Sequence, residues 1–321
     1  MTEVRDDLPP PTAGAGHDPS PGGVQPGGPE REFTVEARSQ LRMVVRRFLQ
    51  HRLAVVSLVV LVLVVVASLI GGRVWHFRFD AVGPDLSKPP SWKHPFGTDG
   101  IGHDTLAQVL HGAQKSVQVA LLVAFVSTGF GTVLGAVAGY YGGKVDTLLM
   151  RFTDLVLSIP SIAFLAVLAA KVAHGSGNWL FIAFVLSALA WTYIARTVRA
   201  TFLSLREKEF VEAARALGAK DRRIIFRHLL PNAVGPIIVS ATIAVAVTIL
   251  VETSLSYLGL GIQPPDTSLG LLISQNESAA TTRPWLFYFP GLFIIIIALT
   301  VNFVGDGLRD AFDPTQTRVR A

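Results

Sequence analysis

The fold of this chain is decided by residues 191–236, which read WTYIARTVRATFLSLREKEFVEAARALGAKDRRIIFRHLLPNAVGP. This stretch lies between two long apolar runs, yet it carries nine Lys and Arg residues between Arg196 and Arg227. A segment with this many charges cannot lie in hydrocarbon, and its many helix-forming residues disfavour disorder. We therefore predict a structured basic loop at a membrane surface, with a membrane span on either side.

Two short helices are predicted inside this basic loop, which we define as residues 196–232. Residues 206–217 show helical periodicity. The side chains expected on one face of this first helix are Phe210, Ala213, Ala214 and Leu217. Gly218 stands where the helix ends, because glycine tolerates the left-handed cap conformation. Asp221 is predicted to N-cap the second helix, and Pro231 either ends that helix or begins the next.

A spaced set of residues in the basic loop carries a family resemblance. The set consists of Glu212-Ala213-Ala214, Gly218, His228 and Leu230-Pro231. It resembles the EAA loop of ABC-importer permeases, although His228 stands where the general pattern has an aliphatic residue. The run from His228 to Asn232 resembles the oligopeptide/dipeptide branch of that family. The resemblance implies that these residues couple the chain to a separate ATPase subunit, whereas the plain alternative is a surface helix hairpin with no partner.

Composition places the chain in a membrane. Half of its 321 residues are hydrophobic, 16% are charged, and the mean hydropathy is +0.47. These values are too apolar for a soluble domain. The net charge of +5 comes from basic residues beside apolar runs, which favours membrane orientation over nucleic-acid binding. The chain has no cysteine, which excludes disulfides, thiolate metal sites and a cysteine nucleophile.

Six apolar runs predict an all-α membrane protein with six transmembrane helices. The predicted spans are residues 53–70, 117–139, 152–170, 179–195, 233–251 and 285–304. The remaining organisation is a disordered Pro/Gly-rich tail (1–36), a basic segment leading into the first span (37–70), an external segment (71–115), a five-helix core that contains the basic loop (116–305), and a C-terminal segment (306–321).

Three features inside the predicted spans have structural consequences. Small residues recur on one face of the second span at Gly131, Gly135 and Gly139, a pattern that lets another helix approach closely. Pro160 lies inside the third span, where we expect neighbouring groups to satisfy the backbone. Asp154 is expected to pair with Arg151, one helical turn away.

The external segment contains a second stretch that resembles the peptide-type permeases, HPFGTDGIGHD at residues 94–104. His103 stands where the family has Arg, which removes a permanent charge and a bidentate donor. The types of four side chains in this stretch would suit a metal ion, namely His94, Asp99, His103 and Asp104. Their spacing matches no standard metal motif, so a structured Gly/Asp turn is the preferred interpretation and no metal site is predicted.

Residues 254–270 resemble a further hallmark of the peptide branch, SLSYLGLGIQPPDTSLG. Its three glycines and paired prolines forbid a regular helix, and irregular backbone at membrane depth must line a cavity or be buried in protein. We single out Glu252, Tyr257 and Gln263 as candidate pathway or gate residues. For Glu252 the alternative is that it merely caps the fifth span at the membrane interface.

Charge distribution predicts the orientation in the membrane. With the N-terminus inside, the cytoplasmic segments hold 21 Lys and Arg residues and the external segments hold 7. The positive-inside rule therefore places both termini and the basic loop in the cytoplasm of a cell whose inner (plasma) membrane the chain crosses.

The resemblance, which covers about residues 40–315, implies the type I ABC-importer permease fold and the C-type subunit of an oligopeptide/dipeptide system. It also implies a homologous second permease, two ATPase subunits and an extracytoplasmic binding protein as partners. The chain has no Gly-x-x-x-x-Gly-Lys-Ser/Thr motif, so ATP and Mg²⁺ are expected in the ATPase subunits, with no catalytic residue or cofactor here. The alternatives are an importer for nickel, glutathione or another small solute, an ion-coupled secondary transporter, and a membrane receptor or assembly protein.

Overall fold

The computed structural model describes residues 40–172 and 178–312, and the regular elements in those ranges are helices. The helices are α1 (Gln40–Gln50), α2 (Arg52–Val74), α3 (Thr105–Tyr141), α4 (Gly143–Ser158), α5 (Ser161–Val172), α6 (Trp179–Arg206), α7 (Glu209–Ala216), α8 (Asp221–Ile224), α9 (Leu230–Tyr257), α10 (Leu269–Asn276) and α11 (Trp285–Phe312). A π-helical turn (Ile225–Leu229) joins α8 to α9, and a 3-10 turn (Glu277–Ala279) follows α10. The predicted tail 1–36 and parts of two other predicted segments, 173–177 and 313–321, lie outside the described residues.

The described helices confirm the predicted all-α membrane fold. Five of them are long and apolar enough to cross a membrane, with Asp221–Tyr257 counted as one, and the bent pair α4–α5 can form a sixth span. The 23 residues of α2 extend about 35 Å, enough for a hydrocarbon core of about 30 Å. Large apolar side chains of α2 are exposed in this single chain, as expected for a surface that faces lipid.

The predicted third span, residues 152–170, is interrupted at Pro160 in the structure. The helix breaks between Ser158 and Ser161, and the two halves meet at a bend of 76°. Pro160 causes the break, because its ring drives the preceding residue out of the helical region. Ile159 is indeed extended, with φ −76° and ψ 125°.

Two helices extend beyond the spans predicted from hydropathy. α3 begins at Thr105, so the end of the predicted external segment is helical; the Asp104 carboxylate caps it by accepting a hydrogen bond from the N–H of Ala107 at 2.8 Å. α6 continues to Arg206, so the first part of the basic loop prolongs a span. Hydropathy marks only the hydrocarbon-embedded part of a helix, and both helices project past it.

Close contact between α3 and α6 confirms the role predicted for the glycine stripe. A Cβ added at Gly131, Gly135 or Gly139 would stand less than 3.0 Å from a backbone carbonyl oxygen of α6. Only glycine allows the two backbones to approach this closely. α3 also packs against α9, α9 against α11, and α11 against α2, so α3 and α9 lie at the centre of the helices that position the basic loop.

Candidate functional site

The basic loop folds into a hairpin of two short helices, α7 and α8. Lys208 has extended backbone (φ −89°, ψ 146°) and ends the run of helix from α6, so α7 begins at Glu209 rather than at residue 206. Gly218 has φ +76° and donates its N–H to the carbonyl of Arg215 at 2.9 Å. The predicted left-handed glycine cap is therefore confirmed.

One side of the hairpin is anchored in the protein. Val211 and Ala214 of α7 and Ile224 of α8 are buried. They share an apolar cluster with Val198 and Phe202 of α6. Full burial of one Val or Ile side chain is worth roughly 1.5–3 kcal/mol, so these contacts hold the hairpin against the end of α6.

The apolar face predicted for the first helix is mostly uncovered within this chain. Of its four members only Ala214 is buried, whereas Phe210 is 40% exposed and Leu217 is 88% exposed. α7 carries two apolar stripes, one through Val211 and Ala214 and one through Phe210 and Leu217. Periodicity identifies both stripes, but the contact with α6 decides which one is covered.

The opposite side of the hairpin forms an exposed surface of mixed chemistry. Phe210, Leu217 and Phe226, which is 62% exposed, leave large apolar groups uncovered. Glu212 and Ala213 lie exposed on the same helix, and no hydrogen bond or ion pair joins the Glu212 carboxylate to another described residue. Exposed apolar groups beside an unpaired acid are typical of a surface that another protein covers.

Asp221 does not cap the second helix as predicted. Lys220 occupies the cap position without a side-chain hydrogen bond, and Asp221 is the first residue of α8. The Asp221 carboxylate instead accepts a hydrogen bond from the hydroxyl of Tyr140, with Oδ1 2.7 Å from the phenolic oxygen. This tertiary partner, 81 positions away in the chain, leaves no local signal in the sequence.

The end of the hairpin contains the remaining residues of the motif. Pro231 lies in the first turn of α9 and does not end the helix that Asp221 begins, because α8, the π turn and α9 continue without a break. Because Pro231 has no N–H, the chain accommodates the junction with a π turn, in which the N–H of Leu230 reaches the carbonyl of Ile225. His228 is half-buried in this turn, and its carbonyl accepts a hydrogen bond from Asn232 at 2.6 Å.

Glu252 neither caps α9 nor faces open space within this chain. It lies one helical turn before the end of α9 and is fully buried. Its carboxyl accepts hydrogen bonds from the hydroxyls of Ser116 at 3.0 Å and Ser256 at 2.7 Å. Ser256 in turn contacts the hydroxyl of Ser268, the residue that caps α10, so Glu252 joins α3, α9 and the start of α10.

The other two candidate pathway residues border the irregular segment between α9 and α10, which occupies residues 258–268, a shorter stretch than predicted. Tyr257 is 42% exposed, and its hydroxyl donates to Glu277 at 2.7 Å. The Gln263 amide donates to the carbonyl of Gly259 at 2.9 Å. The three candidates Glu252, Tyr257 and Gln263 therefore do not converge on one site, and a pathway role for each stays a prediction.

The external segment contains histidine–aspartate pairs. His94 Nδ1 lies 2.7 Å from Asp104, and His103 Nδ1 lies 2.8 Å from Asp99. The four candidate metal ligands thus form two separate pairs, and no cluster of three or more such groups is found among the described residues. At its unusual position, His103 makes an ion pair with Asp99 when protonated.

A third pair ties α3 to the irregular segment. Asp266 contacts His111 Nε2 at 2.7 Å and Lys115 Nζ at 2.8 Å. Burial acts to raise the pKa of Asp266, but the hydrogen bonds from Lys115 and His111 outweigh it and lower the pKa below the ordinary value. Sequence reasoning missed this contact because the partners come from distant parts of the chain.

The ion pairs that join α4 to α6 were also not predicted from the sequence. Arg199 donates two hydrogen bonds to Asp146, one of them at 2.6 Å. Asp154 pairs with Arg196 at 2.5 Å, which corrects the predicted pairing with Arg151. The partners lie 42 and 53 positions apart in the chain, so no local spacing in the sequence predicts them.

Two family models match the chain. The model described as "Binding-protein-dependent transport system inner membrane component" matches residues 131–318, and the "N-terminal TM domain of oligopeptide transport permease C" matches residues 39–90. The "Oligopeptide transport system permease protein OppC" of Mycobacterium tuberculosis (strain ATCC 25618 / H37Rv) is 42% identical over 286 residues, covering 89% of this chain and 98% of that relative. The Haemophilus influenzae protein of the same name is 39% identical over 289 residues, with coverages of 88% and 91%.

A solved structure shares the fold. A chain from "Inward facing conformations of the MetNI methionine ABC transporter" aligns with a TM-score of 0.53 and 20% identity, covering 64% of this chain and 96% of that chain. At this identity the likeness concerns the fold alone. It agrees with the helical arrangement described above.

Proposed function

From the premise that this chain belongs to the family of binding-protein-dependent transport system inner membrane components, the permease subunits of ABC importers, we propose that it forms half of the translocation pathway of an oligopeptide importer. The names of its relatives support oligopeptides as the substrate class. The extracytoplasmic binding protein would select the peptide and deliver it to the paired permeases.

The observation that carries this proposal is the two-sided hairpin of the basic loop. Its inner side, with Val211 and Ala214, is buried against α6. Its outer side leaves Phe210, Glu212 and Leu217 uncovered. A rigid hairpin with an uncovered apolar and acidic surface fits a docking element for a separate ATPase subunit.

Energy for transport would come from outside this chain. It has no phosphate-binding glycine loop of the Walker type, so we assign ATP and Mg²⁺ to two partner ATPase subunits and no catalytic residue to the permease. Closure of the ATPases would displace the basic loop, and this displacement would shift the spans between inward-open and outward-open arrangements.

The excess of Lys and Arg on the proposed cytoplasmic side, 21 against 7, supports an inner-membrane location with both termini and the basic loop in the cytoplasm. In that orientation the hairpin faces the ATPase subunits. The histidine–aspartate pairs of the external segment then face the binding protein's side of the membrane.

The test uses two substitutions in the hairpin. Gly218→Val places a β-branched residue at φ +76°, which costs about 1 kcal/mol or more, and adds bulk where the partner would lie. Glu212→Lys reverses an unpaired charge, and breaking a buried interfacial charge pair costs on the order of 2–5 kcal/mol. We expect both variants to insert normally but to lose co-purification with the ATPase subunits and ATP-dependent peptide uptake.

Lys208→Ala is the matched control, because Lys208 is exposed in the same loop and makes no side-chain cap for α7. It should dock and transport almost normally. Normal docking and uptake in both Gly218→Val and Glu212→Lys would show that the hairpin does not couple the permease to an ATPase.

A further inference from the structure

We propose that Tyr140 and Asp221 form a latch that makes the basic loop and α3 move as one body, and that both are positioning residues for the coupling of ATP hydrolysis to transport. The inference rests on the proposed importer function. Neither residue belongs to the motif by which the loop resembles its family.

The latch is a directional contact at the end of α3. Tyr140 is 7% exposed, and its hydroxyl donates to Asp221 Oδ1 at 2.7 Å. The guanidinium of Arg215 lies 5.9 Å from the centroid of the Tyr140 ring, within cation–π range. Tyr140 therefore contacts both helices of the hairpin, Arg215 on α7 and Asp221 on α8.

A second contact reinforces the same junction. Arg206, the last residue of α6, donates through Nη1 to the carbonyl oxygens of Gly139 at 3.3 Å and Tyr140 at 3.4 Å. The end of α3 is thus held by the end of α6 as well as by the hairpin. The apolar contacts of Val211 and Ala214 bind the hairpin without fixing a direction, whereas a hydrogen bond to a carboxylate fixes the position of Tyr140 relative to Asp221.

α3 can carry a displacement from this latch across the protein. It is one uninterrupted helix of 37 residues, about 55 Å long. Glycines along its length lie against the backbone of α6, so the two helices cannot slide or bend independently without clashes. At its opposite end, His111 and Lys115 hold Asp266 of the irregular segment. A movement of the hairpin would therefore reach the segment between α9 and α10 through rigid contacts.

The adjacent tyrosine provides a matched control. Tyr141 is 54% exposed, and its hydroxyl forms no hydrogen bond with the described residues. Tyr140→Phe and Tyr141→Phe remove the same hydroxyl from neighbouring positions, but only the first removes the latch. For the acid, Asp221→Ala removes the oxygen that accepts the Tyr140 hydroxyl, and Glu209→Ala is its control, since Glu209 is exposed on α7.

The experiment uses the assembled importer, with the full chain, its partner permease and both ATPase subunits, in liposomes with the binding protein. A labelled pentapeptide that the binding protein retains serves as the probe, and the readout is the ATP hydrolysed per peptide imported. We expect Tyr140→Phe and Asp221→Ala, each of which removes the hydrogen bond, to retain ATPase docking and hydrolysis but to raise this ratio about tenfold, the effect of losing one hydrogen bond to a charged acceptor. The double variant should be no worse than either single variant, because both remove one contact.

Two results would overturn the latch. One is an unchanged ATP-to-peptide ratio in Tyr140→Phe, with wild-type import intact. The other is loss of ATPase co-purification in Tyr140→Phe, which would assign the residue to docking or folding instead of coupling. Failure of the wild-type complex to import any peptide with ATP would be a different outcome, since it would refute the importer function itself.

Discussion

Replacing Gly135 by alanine should force α3 and α6 apart. An added Cβ at Gly135 would meet the carbonyl oxygen of Ala195, the Cβ of Val198 at 2.8 Å and the backbone nitrogen of Arg199 at 3.0 Å. Two of these three atoms belong to the backbone of α6 and cannot rotate away. The helices must therefore separate, and the apolar contacts on either side of Gly135 must loosen with them.

The expected loss of stability follows from two opposing effects. Overpacking of this kind costs typically about 1–3 kcal/mol, while alanine in place of glycine gains about 1 kcal/mol of helix propensity. Gly129→Ala isolates the second effect, because Gly129 lies in the same helix and a Cβ there meets nothing within 4 Å. Relative to Gly129→Ala, Gly135→Ala should be less stable by about 1–3 kcal/mol.

The measurement is the loss of helical circular dichroism when each purified variant is titrated with SDS in mixed micelles. Gly129→Ala should unfold at or above the SDS fraction needed for the wild type, and Gly135→Ala should unfold at a clearly lower fraction. Equal midpoints for the two variants would mean that α3 and α6 do not touch at Gly135, and the close packing described above would be wrong.

Two further predictions concern orientation and pH. The chain has no native cysteine, so single cysteines can report the orientation of the chain in the membrane. An impermeant thiol reagent should label Trp92→Cys in intact cells, and it should label Lys208→Cys only after the cells are permeabilised. The reverse pattern would contradict the proposed topology. Folding lowers the pKa of Asp266, so its ionised carboxylate stabilises the folded protein. This stabilisation is complete at pH values above the pKa of Asp266 in the unfolded chain, and it is lost as pH falls through the pKa of Asp266 in the folded protein. Below about pH 5, the difference in free energy of unfolding between the wild type and Asp266→Asn should thus shrink, and a difference that grows between about pH 5 and about pH 2 would refute the ionised pair.

Prediction from sequence succeeded where the signal is local. Gly218 was expected to be a left-handed cap and has φ +76°, because few other residues tolerate that conformation. The stripe of Gly131, Gly135 and Gly139 was expected to admit a neighbouring helix, and α6 lies there. Pro160 was recognised as an exception inside a span, but its consequence, a bend of 76°, exceeded the accommodation that we expected.

In the candidate site, local sequence patterns predicted the hairpin but not the contacts of its side chains. Spacing identified Glu212, Ala213 and Gly218 as members of a hairpin and put Phe210 and Leu217 on one face, but it did not show that both side chains are exposed. A short amphipathic helix with two apolar stripes can bury either, and the choice depends on the surface it meets. Partners such as Tyr140 for Asp221 are set by the meeting of distant elements, which no single-segment pattern contains.

The sequence by itself determined the membrane class, the approximate positions of the spans and the existence of a basic helix–turn–helix between two of them. These properties follow from hydrocarbon length, helical period and the backbone limits of glycine and proline, all of which act within a few residues. Only the tertiary structure decided that Glu252 is buried among serines, that Asp154 pairs with Arg196, and that Tyr140 holds Asp221. Each of these depends on the distance between groups far apart in the chain, and that distance exists only once the helices have packed.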